Sequence, residues 1–197
     1  MRRLLVGVTA VVLATGLAAC GSDSSSIAAQ ARSGDQKNFL SGDGSIERLA
    51  PGDRGPALDL AGTTLAGSRW SVAAARGKVV VLNVWGSWCA PCVAETPDLQ
   101  KAWASYAASG KPVQFMGINY RDPSPQTALA FLRANKVTYP SLADDGGRTI
   151  LALRGKAANT PTTLVLDTKG RLAARVAGQV SRATLDGLVD DVLGEGA

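Results

Sequence analysis

The segment that most constrains this chain is Val79-Val80-Val81-Leu82-Asn83-Val84-Trp85, with Cys89-Ala90-Pro91-Cys92 following after three residues. A continuous β-branched and apolar run, without polar alternation, is the pattern of a strand buried on both faces. Such a strand belongs inside a sheet with cover above and below. The cysteine pair then opens a helical stretch to about Ala108, in which Leu99, Ala102, Trp103 and Tyr106 recur on one face.

That placement gives the cysteines their chemistry. A helix N-terminus offers unpaired N–H groups and about half a positive charge, which favour a thiolate. Cys89 is therefore the expected nucleophile. Cys92, one helical turn on, can attack a mixed disulfide and release the reduced partner. Pro91 costs no hydrogen bond in the first turn and stiffens the pair. A purely structural Cys89–Cys92 disulfide would close a loop of two residues and remove little unfolded-state entropy. Redox exchange is the better reading.

Composition narrows the alternatives. The 197 residues suit one domain plus a tail. There is no histidine, which excludes Ser-His-Asp and Cys-His catalysis and His-ligated metals. Three cysteines cannot build a tetrathiolate zinc site, so no metal and no cofactor is expected. The charge of +5 contains no run of three Lys or Arg, which argues against nucleic-acid binding.

The amino terminus reads as an export signal. Met1-Arg2-Arg3 is a basic start, and Leu4 to Leu17 carries no charge. This stretch of 14 residues is short for a membrane span, which needs roughly 20. Leu17-Ala18-Ala19-Cys20 resembles the lipobox of bacterial lipoproteins. The resemblance implies removal of residues 1–19, lipid attachment at Cys20 and a place at the outer face of the cell membrane. Removal takes away two arginines and no acid, lowering the charge from +5 to +3. The other two cysteines then face a compartment where a disulfide persists. Residues 20–50, rich in Ser, Gly, Asp, Ala and Gln, read as a lipidated N-terminus and flexible tether. The domain is expected over 51–197.

Within it, Ala57–Leu60 and Thr63–Leu65 suggest a hairpin about Ala61-Gly62. A strand is expected at 113–119. Ser124-Pro125 should start a helix with Leu129, Phe131 and Leu132 on its apolar side, and a short helix is expected over 148–153. Strands at 162–166 and 172–176 flank the turn signal Asp167-Thr168-Lys169-Gly170, and a last helix begins near Ser181. The order implies an α/β fold with a central mixed sheet flanked by helices.

Trp85-Gly86-Ser87-Trp88-Cys89-Ala90-Pro91-Cys92-Val93-Ala94-Glu95-Thr96-Pro97 resembles the WCxPCxxExP signature of the TlpA/ResA type of membrane-tethered thioredoxin-like thiol–disulfide oxidoreductases. The resemblance covers roughly residues 55–194. It implies a thioredoxin-like fold with an N-terminal hairpin and an inserted strand and helix near 113–135. Family members reduce disulfides outside the membrane, often in apocytochrome c maturation. The implied partners are protein disulfides, apocytochrome c among them, and a CcdA/DsbD-like membrane electron donor, with the protein acting as a monomer.

Glu95, three residues past Cys92, shares its helical face and can take or return the Cys92 proton. The matching family residue does this or tunes the thiol. Asn83 puts a neutral amide where ordinary thioredoxins hold a buried acid, which leaves Glu95 as the nearest base. Pro97 should kink the helix. Thr160-Pro161 looks like the cis-proline loop of this fold, which sets the Thr160 backbone beside the cysteines to pair with substrate. Asn159-Thr160-Pro161 departs from the Gly-hydrophobic-Pro often found there, which bears on partner choice. Trp88 is expected to lie over the disulfide, and substrates to dock near Trp88, Pro91, Thr160 and Pro161.

Direction is read from Ala-Pro between the cysteines. Without a histidine there, the reduced form lacks that stabilisation, and reduction of substrates is favoured. Thiol oxidation of envelope proteins is the opposite assignment. A peroxiredoxin-like peroxidase needs Thr or Ser three residues before its cysteine and an upstream Pro, where this chain has Gly86 and Leu82. A Sco-type Cu(I) chaperone expects CxxxC and a distant His.

Overall fold

A computed structural model describes residues 42–144 and 146–195. The leader 1–19, Cys20 and the tether as far as residue 41 lie outside the described residues.

The buried run forms β4 (Val79–Trp85), whose residues are all buried. At about 1.5–3 kcal/mol for each buried large apolar side chain, this strand is a main source of stability. It pairs in parallel with β5 (Val113–Asn119) and antiparallel with β7 (Thr162–Leu166). With β1 (Ser45–Arg48), β6 (Ser141–Leu142) and β8 (Leu172–Ala177) they form a mixed six-stranded sheet in the order β1-β8-β7-β4-β5-β6.

Alternation along β4 divides the core. Val79 and Val81 face the long helix α1 (Ala90–Ser109) and the C-terminal helix α4 (Arg182–Gly194), meeting Leu99, Tyr106, Leu185 and Leu188. Val80, Leu82 and Val84 face the other way, against Leu58, Leu60, Val72 and Leu153. A third cluster joins Trp85 and the two cysteines to Ala128 of α2 (Pro125–Ala134). Ser124 caps α2 as expected and Ser181 caps α4, each accepting from the N–H three residues on. Pro97 lies on the exposed side of α1, and the helix continues past it to Ser109.

Two expectations need correction, the hairpin and the tether. The hairpin is not 57–60 against 63–65. It pairs β2 (Ala61–Thr63) with β3 (Arg69–Ser71). Leu58 and Leu60 are core anchors beneath the sheet, and the turn comes later, where the Thr64 N–H donates to the Ser68 carbonyl, the Gly67 N–H donates to the Thr64 carbonyl and Gly67 takes a φ of 87°. The tether does not extend to residue 50, because Ser45–Arg48 pairs with Ala174–Ala177 as an edge strand. All four side chains are exposed, so backbone pairing makes this strand and no apolar pattern announces it. The two-residue strand β6 has no counterpart among the sequence expectations. It is parallel to β5 on one side and bridged to Thr64 on the other. A short helix α3 (Arg148–Ala152) ends one residue earlier than expected.

Candidate active site

Cys89 is the N-cap of α1, in extended conformation, and its sulfur accepts the Cys92 N–H at 3.3 Å. The two cysteines are joined in a disulfide with Cα atoms 5.2 Å apart. Both are buried, at 1% exposure. Leu65, Trp88, Phe131 and Leu132 pack against this cluster, and Phe131 stacks on Trp85 at 5.1 Å between ring centres. The disulfide thus joins the positive end of a 20-residue helix to an apolar wall.

A polar group is buried behind it. Glu95, at 1% exposure, accepts the Asn83 side-chain N–H at 2.8 Å through Oε1 and the Val180 N–H at 2.9 Å through Oε2. Asn83 also donates to Thr163 Oγ1 at 3.1 Å. Asn83 and Thr163 are partners in the β4–β7 register, so their side chains lie side by side. Burial pushes the Glu95 carboxyl up from 4.5 to about 7, against the pull of its two donors. A proton-exchanging acid suits neutral pH when its own value lies there.

The loop before Cys89 is held by the chain after β5. Asp122 accepts from the Ser87 N–H at 3.2 Å, from the Ser87 hydroxyl and from the Asn119 amide. The Trp85 carbonyl accepts the Tyr120 N–H at 2.9 Å, and the Trp88 indole N–H donates to the Tyr120 carbonyl at 3.1 Å. Gly86 permits this. A Cβ there would stand 2.5 Å from the Trp88 indole nitrogen and 2.9 Å from the Tyr120 carbonyl oxygen.

The Thr160–Pro161 bond is cis. Thr162 lies opposite Val84, which brings Pro161 to the end of β4 that leads into the disulfide. Thr160 and Pro161 are buried, while Trp88 and Pro91 are half-buried. One sheet end therefore gathers the cysteines, Glu95, Trp88 and the cis-proline loop. Sequence reasoning missed Thr163, the Val180 N–H, and the Ser87–Asp122–Asn119 latch. Apart from the local Asn119–Asp122 bond, these contacts join positions 35 to 85 residues apart, so spacing could not reveal them.

A family model described as Redoxin matches residues 50–191. The thiol:disulfide interchange protein HelX of Rhodobacter capsulatus is 32% identical over 117 residues, 59% of this chain and 62% of that protein's length. The thiol-disulfide oxidoreductase ResA of Bacillus thuringiensis is 26% identical over 66% of this chain and 72% of its own. Among solved structures, a secreted thiol-disulfide isomerase from Corynebacterium glutamicum superposes with a TM-score of 0.71 and 34% identity, covering 79% of this chain and 96% of that one. A DsbF homologue from Corynebacterium diphtheriae gives 0.69 and 37%, covering 78% and 97%.

Proposed function

The chain belongs to the Redoxin family and is a thiol–disulfide oxidoreductase with a thioredoxin-like fold, and from that premise we propose that it reduces protein disulfides outside the cytoplasmic membrane. The observation that carries this reading is the Cys89–Cys92 disulfide at the start of α1, with Ala-Pro between the cysteines and a buried carboxyl, Glu95, one turn on.

In the reduced enzyme, the Cys89 thiolate attacks a substrate disulfide. A bond forms from Cys89 to one substrate sulfur, and the other leaves as a thiolate. Cys92 gives its proton to Glu95 and attacks the Cys89 sulfur. The Cys89–Cys92 bond forms, and the second substrate sulfur departs. Two electrons have passed from the dithiol to the substrate. The substrate strand lies along Thr160 and Pro161 and against Trp88 and Pro91. A CcdA/DsbD-like membrane dithiol restores the reduced pair. Cys20 carries the lipid that holds the protein at the membrane, and oxidised envelope proteins, apocytochrome c among them, are the substrates.

The reduction potential tests the direction. A value near −270 mV, as in thioredoxin, supports a reductant, and a value near −120 mV overturns it. Isomerisation or oxidation is the second reading, favoured by the solved relative described as a secreted isomerase. A Cys92→Ser variant should accumulate mixed disulfides through Cys89. Cys20→Ser should move the protein from the membrane to the soluble fraction.

A further inference from the structure

Proton exchange at Glu95 requires more than a carboxyl near Cys92. The carboxyl must hold one orientation in the core and bind its proton neither too tightly nor too weakly. The hydrogen bonds around it divide this work. The Val180 N–H is backbone, from the segment leading into α4, and holds Oε2 whatever the side chain there. Among the described residues, Oε1 accepts from one side chain, Asn83.

Asn83 is itself held. Its Nδ2 donates to Glu95 and to Thr163 Oγ1, so both amide N–H groups have acceptors. Thr163 is fully buried and is its cross-strand partner, which keeps the amide from turning away. We propose that Asn83 is a positioning residue for the redox-linked proton: anchored on Thr163, it aims a neutral donor at Glu95 and thereby sets how readily that carboxyl takes up and returns a proton. The assignment rests on the proposed role of Glu95 in thiol–disulfide exchange.

Charge and burial support it. A neutral donor stabilises the carboxylate without adding a charge, whereas a second acid at this place would repel it. Asn83 and Thr163 from the sheet and the Val180 amide are neutral, and the Cys92 sulfur is bound in the disulfide. Tyr139, from the segment entering β6, is the titratable side chain that feels the Glu95 charge. Burial and that charge keep its hydroxyl protonated. Burial pushes Glu95 up, and the Asn83 donor is one of two groups drawing it back towards neutrality.

The test titrates the oxidised full-length protein by infrared spectroscopy. The protonated-carboxyl band of Glu95 is identified by its loss in Glu95→Gln and followed from pH 5 to 10. The wild-type midpoint is expected at about 7. Asn83→Ala should move it upward by about one pH unit or more, which is about tenfold in proton affinity. Thr163→Val, which keeps the side-chain shape but cannot anchor the amide, should move it upward by less. A purely structural role would lower stability and leave the midpoint in place. Unchanged midpoints in both variants overturn the proposal. If Asn83→Ala does not fold, an unchanged midpoint in Thr163→Val overturns it alone. Failure of the reductase reading would show in the reduction potential, which this titration does not measure.

Discussion

Glu95 should make this protein less stable as the pH rises through neutrality. Its carboxyl is displaced from 4.5 in the unfolded chain to about 7 in the fold, chiefly by burial. The folded value is raised, so the folded state favours the protonated acid. Below pH 4.5 the group is protonated in both states and contributes nothing to the pH dependence. Between 4.5 and about 7 the unfolded chain releases its proton and the folded chain keeps it, so stability falls with pH. At about 1.4 kcal/mol per tenfold difference in proton affinity, the loss levels off at about 3.5 kcal/mol above pH 7. Glu95→Gln removes the titration and keeps the shape. An Asn83 amide turned about its own axis would then present its oxygen to the new NH₂ group. The assay is urea unfolding of the oxidised wild type and variant at half-unit steps from pH 5 to 8. The chain has no histidine, so this window is free of imidazole titration. The difference in unfolding free energy should shift towards the variant by about 2.5 kcal/mol across the window, whatever constant offset the amide introduces. A difference constant to within about 0.5 kcal/mol would refute the buried, raised carboxyl.

Other perturbations probe the scaffold. Arg54, with 2% of its side chain exposed, binds Asp167 at 3.2 Å and Glu195 at 2.6 Å. Arg54→Ala should cost about 1–3 kcal/mol in urea unfolding, because Asp167 and Glu195 each lose a charged donor while Arg171 and Lys169 still bind Asp167. Burial alone would raise Asp167, but hydrogen bonds from Arg171, Arg54 and Lys169 hold it below 3.8. Its stabilisation is therefore present above that value and is lost as the pH falls through the lower folded one. Asp122→Ala should cost about 1–3 kcal/mol and speed hydrogen exchange at the Ser87 amide, and unchanged exchange would show that the latch does not hold the loop. Lys136 takes a φ of 53° after α2, where the Val137 N–H returns to the Leu132 carbonyl. Lys136→Gly should relieve that strain and raise stability by about 0.5–1 kcal/mol in thermal unfolding.

What could be read in advance depended on local, periodic signals. The β4 run, the helical recurrence of Leu99, Ala102 and Tyr106, and the serine caps of α2 and α4 all carry their cause within a few residues. Elements made by backbone pairing alone left no such trace. Strand β1 exposes every side chain, and β6 has only two residues. The hairpin was displaced because Leu58 and Leu60 look like strand residues but serve as anchors under the sheet.

The same division holds at the site. The sequence by itself determined the redox pair, its place at a helix start, and a carboxyl one turn behind Cys92, because covalent spacing and helical periodicity fix these. Its lack of histidine also confines the search for a proton carrier to the carboxyl side chain. Only the tertiary structure decided the environment of that carboxyl. The sequence also allows Glu95 as a solvated helix residue. Glu95 is buried because α1 lies on the sheet with Asn83 and Thr163 beneath it and the Val180 N–H beside it. A carboxyl's proton affinity depends on the water it has lost and the donors it has gained, and both come from residues brought together across the fold.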